Sequence, residues 1–181
     1  MISYRHVLPV EAGALADHLK RLPDDARATR FFCRYSDEAV DGYVRRIDWA
    51  HAIVIGAFEG GELRGVAEVA VAGSGGELSL TVEPGWQHRH IATELTRRVL
   101  QSARNQWLAD ICIRYLRGNT PIGRIAGAVA HHTHADEGEL VSGVRIPVPT
   151  PASVWNELLD ESAGWAGDML DRAASVPGPR P

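Results

Sequence analysis

The chain has 181 residues, of which 45% are hydrophobic and 23% are charged, and its formal net charge is -4. These fractions are typical of one folded domain and exclude a disordered chain, and the excess of acids gives no attraction for nucleic acid. The best apolar run, residues 50–58, is far below the ~20 residues that span a bilayer, so we expect a cytoplasmic protein with no membrane partner.

The first fifty residues predict a short strand followed by two helices. Residues 4–7 are strand-like, and Leu15, Leu19 and Leu22 then recur at helical spacing until Pro23 ends the helix. Ser36 is placed to cap the second helix, which has acids in its first turn and arginines in its last.

Three strands with short connections follow, which predicts an antiparallel meander. Residues 51–58 and 63–71 flank Gly60-Gly61, a pattern typical of a hairpin. A glycine-rich loop at 73–76 leads into a third strand at 77–82, which Pro84-Gly85 closes.

Helices and strands alternate over the next part of the chain. We predict a long helix at about 88–107, a strand at 111–116, a helix after Gly118-Asn119 and a strand at 140–148. A helical crossover joins the strands near residues 80 and 113, so these two strands should be parallel. The predicted fold class is α/β (α+β) with a mixed sheet flanked by helices.

An extra amphipathic helix is predicted at the C-terminus. Thr150-Pro151 is a good start for a helix over 150–176, and 177–181 should be a disordered tail, which leaves 1–149 as the main domain. The apolar stripe of this helix includes Val154, Trp155, Trp165 and Met169. We expect the parent domain to cover it, with a second subunit, and hence a homodimer, as the alternative.

Two groups of residues suggest metal binding only weakly. Cys33 and Cys112 are far apart in apolar surroundings, so we expect buried small side chains and neither a disulfide nor a zinc site. The run 131–137 contains three histidines, but it lacks a second pair of ligands at zinc spacing. We interpret it as a solvated polar loop and expect no metal.

The most informative segment is a strand, a Pro-Gly turn and a helix over residues 77–95. A helix that opens directly after a strand presents unpaired N–H groups and the positive end of its dipole, which suits a pyrophosphate. Within it, Gln87-His88-Arg89-His90-Ile91-Ala92 resembles the acyl-CoA motif of the GNAT superfamily of N-acetyltransferases, Arg/Gln-x-x-Gly-x-Gly/Ala.

The likeness covers about residues 4–148 and is strongest to the GNAT domain of bacterial Pat-type protein lysine acetyltransferases. It rests on the segments 22–32, Gly65-Val66-Ala67, Gly76-Glu77, Trp86-Gln87 and 119–126. The resemblance implies a centrally splayed sheet and acetyl transfer from acetyl-CoA, as co-substrate, to a primary amine of a small molecule or a protein lysine.

The resemblance also implies site residues. Glu77 matches the glutamate that acts as general base, the strand backbone would bind pantetheine, and the helix N-terminus would bind pyrophosphate. The implied cofactor-binding positions are Leu80, Thr81, Val82, Gln87, His88, Arg89, His90, Ile91, Ala92, Thr93 and Asn119.

Two departures from the family pattern keep an alternative open. His90 stands where the motif has glycine, and Ala126 stands where many members have a tyrosine that protonates the leaving thiolate. Glu77 can equally be read as a solvated strand-edge carboxylate. The alternative is a catalytically inactive GNAT-like module that binds a partner or an effector.

Overall fold

The computed structural model describes residues 1–175, and the predicted tail at 177–181 lies outside the described residues. The strands are β1 (Ser3–His6), β2 (Ile53–Glu59), β3 (Glu62–Ala72), β4 (Gly75–Val82), β5 (Asp110–Leu116), β6 (His132–Asp136) and β7 (Glu139–Arg145). The helices are α1 (Ala12–Arg21), α2 (Asp24–Phe31), α3 (Asp37–Arg45), α4 (Ile91–Asn105), α5 (Thr120–Val129) and α6 (Pro151–Ser175).

The strands form one mixed sheet that splays near its centre. The strand order is β1-β2-β3-β4-β5-β7-β6, and every neighbouring pair is antiparallel except β4 with β5. The β4–β5 register runs only from Gly75↔Asp110 to Leu78↔Ile113, although β4 continues to Val82 and β5 to Leu116. Beyond Leu78 the two strands therefore diverge and leave an opening in the sheet.

Each face of the sheet carries its own hydrophobic cluster. On one face, Ile91, Leu95 and Val99 of α4 pack against strand residues such as Leu78. On the other face, helices α1 and α3 pack through residues such as Leu15 and Val40. Successive side chains of a strand point to opposite faces, so alternate residues of β4 face α4, as Leu78 does, and those between them face α1 and α3.

The mixed α/β fold with a C-terminal helix is confirmed, and so are two predicted helix caps. The Ser36 hydroxyl accepts a hydrogen bond from the Ala39 N–H at 3.2 Å, and the Asn119 side chain accepts one from the Ile122 N–H at 3.4 Å. Helix α4 begins at Ile91 rather than His88, because His88 and His90 adopt left-handed backbone with φ of 61° and 60°.

Two elements correct the predicted order. Helix α2 was not anticipated, because among its eight residues only Arg27 is buried and the apolar stripe that marks a helix is short. The polar run at 131–137 is not a loop, because residues 132–136 form β6, paired with β7. All five side chains of β6 are exposed, so the strand carries no alternation of apolar and polar residues.

The burial of the cysteines and of α6 also differs from expectation. Cys33 is exposed and Cys112 is only partly buried, so neither is the fully buried side chain that we predicted. The parent domain covers only part of the apolar stripe of α6: Trp165 is half-buried against Arg5, but Trp155 and Met169 are 62% and 67% exposed. Apart from Trp165, the helix packs on the domain mainly through its polar residues.

Candidate active site

The opening between β4 and β5 forms a cleft of about 940 Å³. This volume is at the upper end of the range of ~300–1,000 Å³ for small-molecule sites. Its walls come from β4, β5, α2, α5 and the loop that leads into α4. Every site residue implied by the sequence resemblance lines this cleft except Arg89, which is exposed elsewhere on the same loop.

The cleft passes through the sheet and connects its two faces. Leu78 belongs to the cluster under α4, so Leu80 and Val82, at the same alternation, also face α4 and α5. The Thr81 hydroxyl lies 2.9 Å from Nε2 of His18 on α1, so the side chains of Glu77 and Thr81 face the side of α1 to α3. Residues of α2, among them Asp25, Thr29 and Arg30, form the wall on that side.

The backbone of β4 turns specific groups toward the opening. The Glu83 N–H donates to the Arg64 carbonyl of β3 at 2.9 Å. Because backbone groups alternate sides along a strand, Thr81 also turns its backbone toward β3, and Leu80 and Val82 turn theirs toward the opening. The Val82 carbonyl accepts a hydrogen bond from the Gln87 side chain at 3.1 Å, which leaves Leu80 at the centre of the exposed strand edge.

The loop before α4 has the geometry of an anion-binding turn. His90 is the N-cap of α4 and its φ of 60° is the left-handed conformation that glycine adopts most readily. The first helical hydrogen bond runs from the Glu94 N–H to the His90 carbonyl at 3.0 Å, so the N–H groups of Ile91, Ala92 and Thr93 have no acceptor within the helix. These groups and the helix dipole suit a phosphate.

His90 and Asn119 approach the same cleft with side chains. The imidazole of His90 is exposed and lines the cleft, and its backbone is left-handed at the position where the family motif has glycine. Asn119 uses its carbonyl oxygen to cap α5, so its Nδ2 amide is not used by the cap. Both residues therefore present nitrogen groups to any ligand in the cleft.

Glu77 lies where the two strands begin to separate. Its cross-strand neighbours are Ala70 and Cys112, and within residues 1–175 no group donates a hydrogen bond to its exposed carboxylate. The hydrogen bond with Glu139 and, more weakly, the charge of Glu77 raise the pKa of Arg114. Burial and then the charge of Glu77 raise the pKa of the Cys112 thiol. Glu77 is thus a carboxylate at the edge of the cleft that is open to a proton donor.

A buried network fixes the end of β4, and sequence reasoning did not find it. His18 Nδ1 lies 3.1 Å from Glu83, whose carboxylate also accepts from Arg21 at 2.8 Å and from Arg64 at 3.1 Å. Burial lowers the pKa of His18, which favours a neutral ring that donates to Glu83 and accepts from Thr81. The network holds the strand end from which the anion-binding loop departs.

The α2 wall was also missed, and it carries a second buried cluster. Glu68 on β3 accepts hydrogen bonds from the Tyr43 hydroxyl at 2.7 Å and from Arg30 at 3.3 Å. Burial is the main reason that the pKa of Tyr43 is raised. The cluster fixes Arg30, whose side chain lines the cleft, at a defined place in the wall.

Among residues 1–175, no group of three or more histidine, cysteine, aspartate or glutamate side chains is arranged to hold a metal ion. Over the same range no helix combines the length and apolarity needed to cross a bilayer.

Comparison with known proteins confirms the resemblance seen in the sequence. The model of the acetyltransferase (GNAT) family matches residues 19–121, and no curated protein matches the chain. Among solved structures, the GNAT domain of S. lividans PAT is similar with a TM-score of 0.69 at 18% identity, over 78% of this chain and 89% of that chain.

Two further structures show the same fold. The PaiA N-acetyltransferase from Thermoplasma acidophilum, solved in complex with coenzyme A, has a TM-score of 0.59 at 16% identity, over 80% of this chain and 99% of that chain. A cAMP-binding acyltransferase from Mycobacterium smegmatis has a TM-score of 0.59 at 19% identity, over 98% of this chain and 53% of that chain. The family model covers more than half of the chain, and the chain therefore belongs to the GNAT acetyltransferase family.

Proposed function

We propose that this protein transfers an acetyl group from acetyl-CoA to a primary amine, with Glu77 as the general base. The observation that carries the proposal is the cleft through the sheet. It joins the anion-binding loop on the α4 side to Glu77 on the α2 side. Membership of the GNAT family and the CoA complex of the similar PaiA enzyme support acyl-CoA as the donor.

The chain would hold the donor with backbone groups. The N–H groups of Ile91 to Thr93 at the start of α4 suit the pyrophosphate, and the Leu80 backbone suits the amides of the pantetheine arm. The bound thioester supplies an activated acetyl group. This arrangement needs local positive potential against the overall charge of -4, and the α4 dipole with nearby Arg89 provides it.

Glu77 would remove the proton that blocks attack. A primary amine has a pKa near 10.4, so only about one molecule in 10³ carries a free lone pair at neutral pH. The carboxylate would take that proton directly or through one water. The amine nitrogen then forms the C–N bond to the acetyl carbon and gives up a second proton to solvent, the C–S bond breaks, and the thiolate leaves with the electron pair.

The side of the cleft from which the amine arrives follows from the same geometry. Glu77 faces α2, so the acceptor would enter past the wall that contains Asp25 and Arg30. The position of the tyrosine found in many GNAT enzymes is Ala126, which is fully buried. That residue offers no proton, so the leaving thiolate would be protonated by solvent in the open cleft.

The proposal is tested by the Glu77→Gln variant with a matched control. Release of the CoA thiol is measured with a panel of primary amines, small molecules and lysine peptides, and acetyl-CoA affinity is measured by calorimetry. Loss of a general base should lower turnover by ~10²–10⁴-fold while affinity stays nearly unchanged. Asp110→Asn, which neutralises an exposed carboxylate on β5 outside the cleft, should keep full activity.

Two results would contradict the proposal. Equal turnover of Glu77→Gln and wild type would remove Glu77 from the mechanism. Tight acetyl-CoA binding with no acetyl transfer to any amine would favour the alternative, a GNAT-like module that binds without catalysis.

A further inference from the structure

Helix α6 is docked on the domain by its charged face. Its acidic residues Glu157, Asp160 and Glu161 contact Asn105 at 2.6 Å, Arg97 at 2.7 Å and His6 at 2.9 Å. Further along the helix, Asp168 accepts two hydrogen bonds from the fully buried Arg5 at 3.0 and 3.1 Å. Gly164 lies so close to β1 that a Cβ there would overlap the Tyr4 carbonyl oxygen.

The opposite face of α6 is apolar and exposed. We call the following residues the α6 stripe: Val154, Trp155, Leu158, Leu159, Ser162, Ala166, Met169 and Leu170. At 3.6 residues per turn they lie within about 80° on either side of Ser162, on one side of the helix; Trp165 falls in the same arc but packs on Arg5 of the domain. The large members are 43% to 72% exposed, whereas Ser153, Gly164 and Asp168 on the other face are buried.

The α6 stripe is as large as the largest apolar patch expected on a monomer. At these exposures its six large side chains present on the order of 600 Å² of surface, taking ~250 Å² for the tryptophan and ~150 Å² for each of the five smaller side chains. The largest apolar patch on a typical monomer is ~300–600 Å² and is often functional. Two such stripes packed together would bury about 1,200 Å², the area at which specific protein–protein interfaces begin.

We propose that the α6 stripe binds the α6 stripe of a second copy of this chain, antiparallel, about a two-fold axis at Ser162. The stripe is self-complementary about that residue. With Ser162 opposite its own copy, Val154 faces Leu170, Trp155 faces Met169, and Leu158 faces Ala166. Next to the axis, Leu158 meets the small Ala166 on either side, which lets the two helices approach closely there, and the outer pairs join large apolar side chains.

The charges of α6 favour a second copy over a membrane surface. Among residues 151–174 every acidic side chain is on the docked side, and Arg172 at the border of the stripe pairs with Asp168 at 3.0 Å. A helix that lies on a membrane normally has a basic polar face that is free to meet anionic lipid. Here the polar face is occupied by the domain, and the exposed face is uncharged like the core of an oligomer interface.

The oligomeric state tests the proposal first. Sedimentation velocity of the full chain between about 1 and 100 μM should show a dimer, because interfaces of this size give micromolar affinity or better. Leu158→Glu places a charge in the stripe and should weaken the dimer by at least tenfold. Asn156→Glu adds the same charge on the exposed flank of α6 and should leave the dimer intact.

Disulfide crosslinking tests the antiparallel register. In a Cys33→Ser, Cys112→Ala background, Ser162→Cys should form a disulfide-linked dimer under mild oxidation, because the two residues meet at the axis. Ala152→Cys is the matched control, since an antiparallel pair places the two copies of residue 152 about 30 Å apart. Both variants have a single exposed cysteine on α6.

Three outcomes would overturn the proposal. One is a wild-type chain that stays monomeric at 100 μM, whether or not it binds vesicles of neutral phospholipid. Another is a dimer that Leu158→Glu does not weaken while circular dichroism shows the variant folded. The third is crosslinking of residue 152 as readily as residue 162, which would indicate a parallel pair.

Discussion

The attachment of α6 depends on Arg5, and its replacement by methionine is the most informative change to stability. The Arg5 guanidinium is fully buried between the rings of Phe58 and Trp165, at 3.8 and 4.0 Å. It donates two hydrogen bonds to Asp168, two to Glu11 and one to the His6 carbonyl. Burial lowers its pKa, but the bonds to Glu11 and Asp168 outweigh burial and raise it.

The loss in the free energy of unfolding caused by Arg5→Met follows from the contacts that remain in the variant. Methionine fills part of the space between the two rings, so the loss of packing is small. Asp168, which is 2% exposed, would be left with only Arg172 as an ion-pair partner, at 3.0 Å. Breaking one side of a buried ion pair costs ~3–5 kcal/mol, and the remaining arginine places the expected loss near the lower end, about 3 kcal/mol.

Urea denaturation of the full chain measures this loss as a change in the free energy of unfolding. A domain of this kind is stable by ~5–15 kcal/mol, so 3 kcal/mol is well resolved. Arg117→Met, on an exposed loop, is the control and should change stability by less than ~0.5 kcal/mol. Combining Arg5→Met with Asp168→Asn should recover part of the loss, because no unpaired charge stays buried.

The reasoning would be refuted if Arg5→Met changed the free energy of unfolding by less than about 1 kcal/mol. It would also fail if the double variant lost more free energy of unfolding than the two single variants lose in sum. Either result would mean that α6 is not attached through this buried pair.

Two further predictions concern the loop and the pH dependence. His90→Gly should change the calorimetric Kd for acetyl-CoA by less than ~10-fold, because glycine keeps the left-handed turn, whereas the β-branched His90→Val should weaken binding by more than that. A Kd at least tenfold lower for His90→Gly would show instead that the imidazole obstructs the site. Burial alone lowers the pKa of His6, but the hydrogen bond and charge of Glu161 outweigh it and raise that pKa above 6.5. The contribution of the His6–Glu161 pair to the free energy of unfolding is therefore full below pH 6.5, and it is lost as the pH rises through the pKa of His6 in the folded protein. In denaturation curves from pH 6 to 9, His6→Gln should lack this loss, and an unchanged pH dependence would contradict the assignment.

The parts of the fold with clear periodicity could be predicted from the sequence. Ile91, Leu95 and Val99 recur at helical spacing and form one face of α4, and the glycine-rich connections marked the meander correctly. Strand β6 could not be predicted in this way. Its side chains are exposed on both faces, and its conformation depends on backbone bonds to β7.

The docking of α6 shows why an amphipathic pattern does not decide which face is buried. The apolar stripe was recognised, but the partner of the helix is set by Arg5 and His6, more than 150 residues earlier in the chain. A buried arginine that needs carboxylates selects the acidic face. This preference cannot be read from residues 150–176 alone.

The site was predictable where it depends on a local motif. The loop 87–93 and the end of β4 are contiguous in sequence, and nearly all of the implied positions line the cleft. The pair His18 and Glu83 was missed because its members are 65 residues apart and neither belongs to a recognisable pattern. The wall formed by α2 was missed together with the helix itself.

Titration calorimetry with acetyl-CoA is the measurement that tests the central claim most directly. If the cleft between β4 and β5 holds an acyl-CoA, the full chain should bind acetyl-CoA at one site per chain, with a Kd between ~1 μM and ~1 mM. Free CoA should compete for that site, because the pyrophosphate and pantetheine contacts are shared. Absence of binding heat at ~1 mM ligand and at two temperatures would contradict the account.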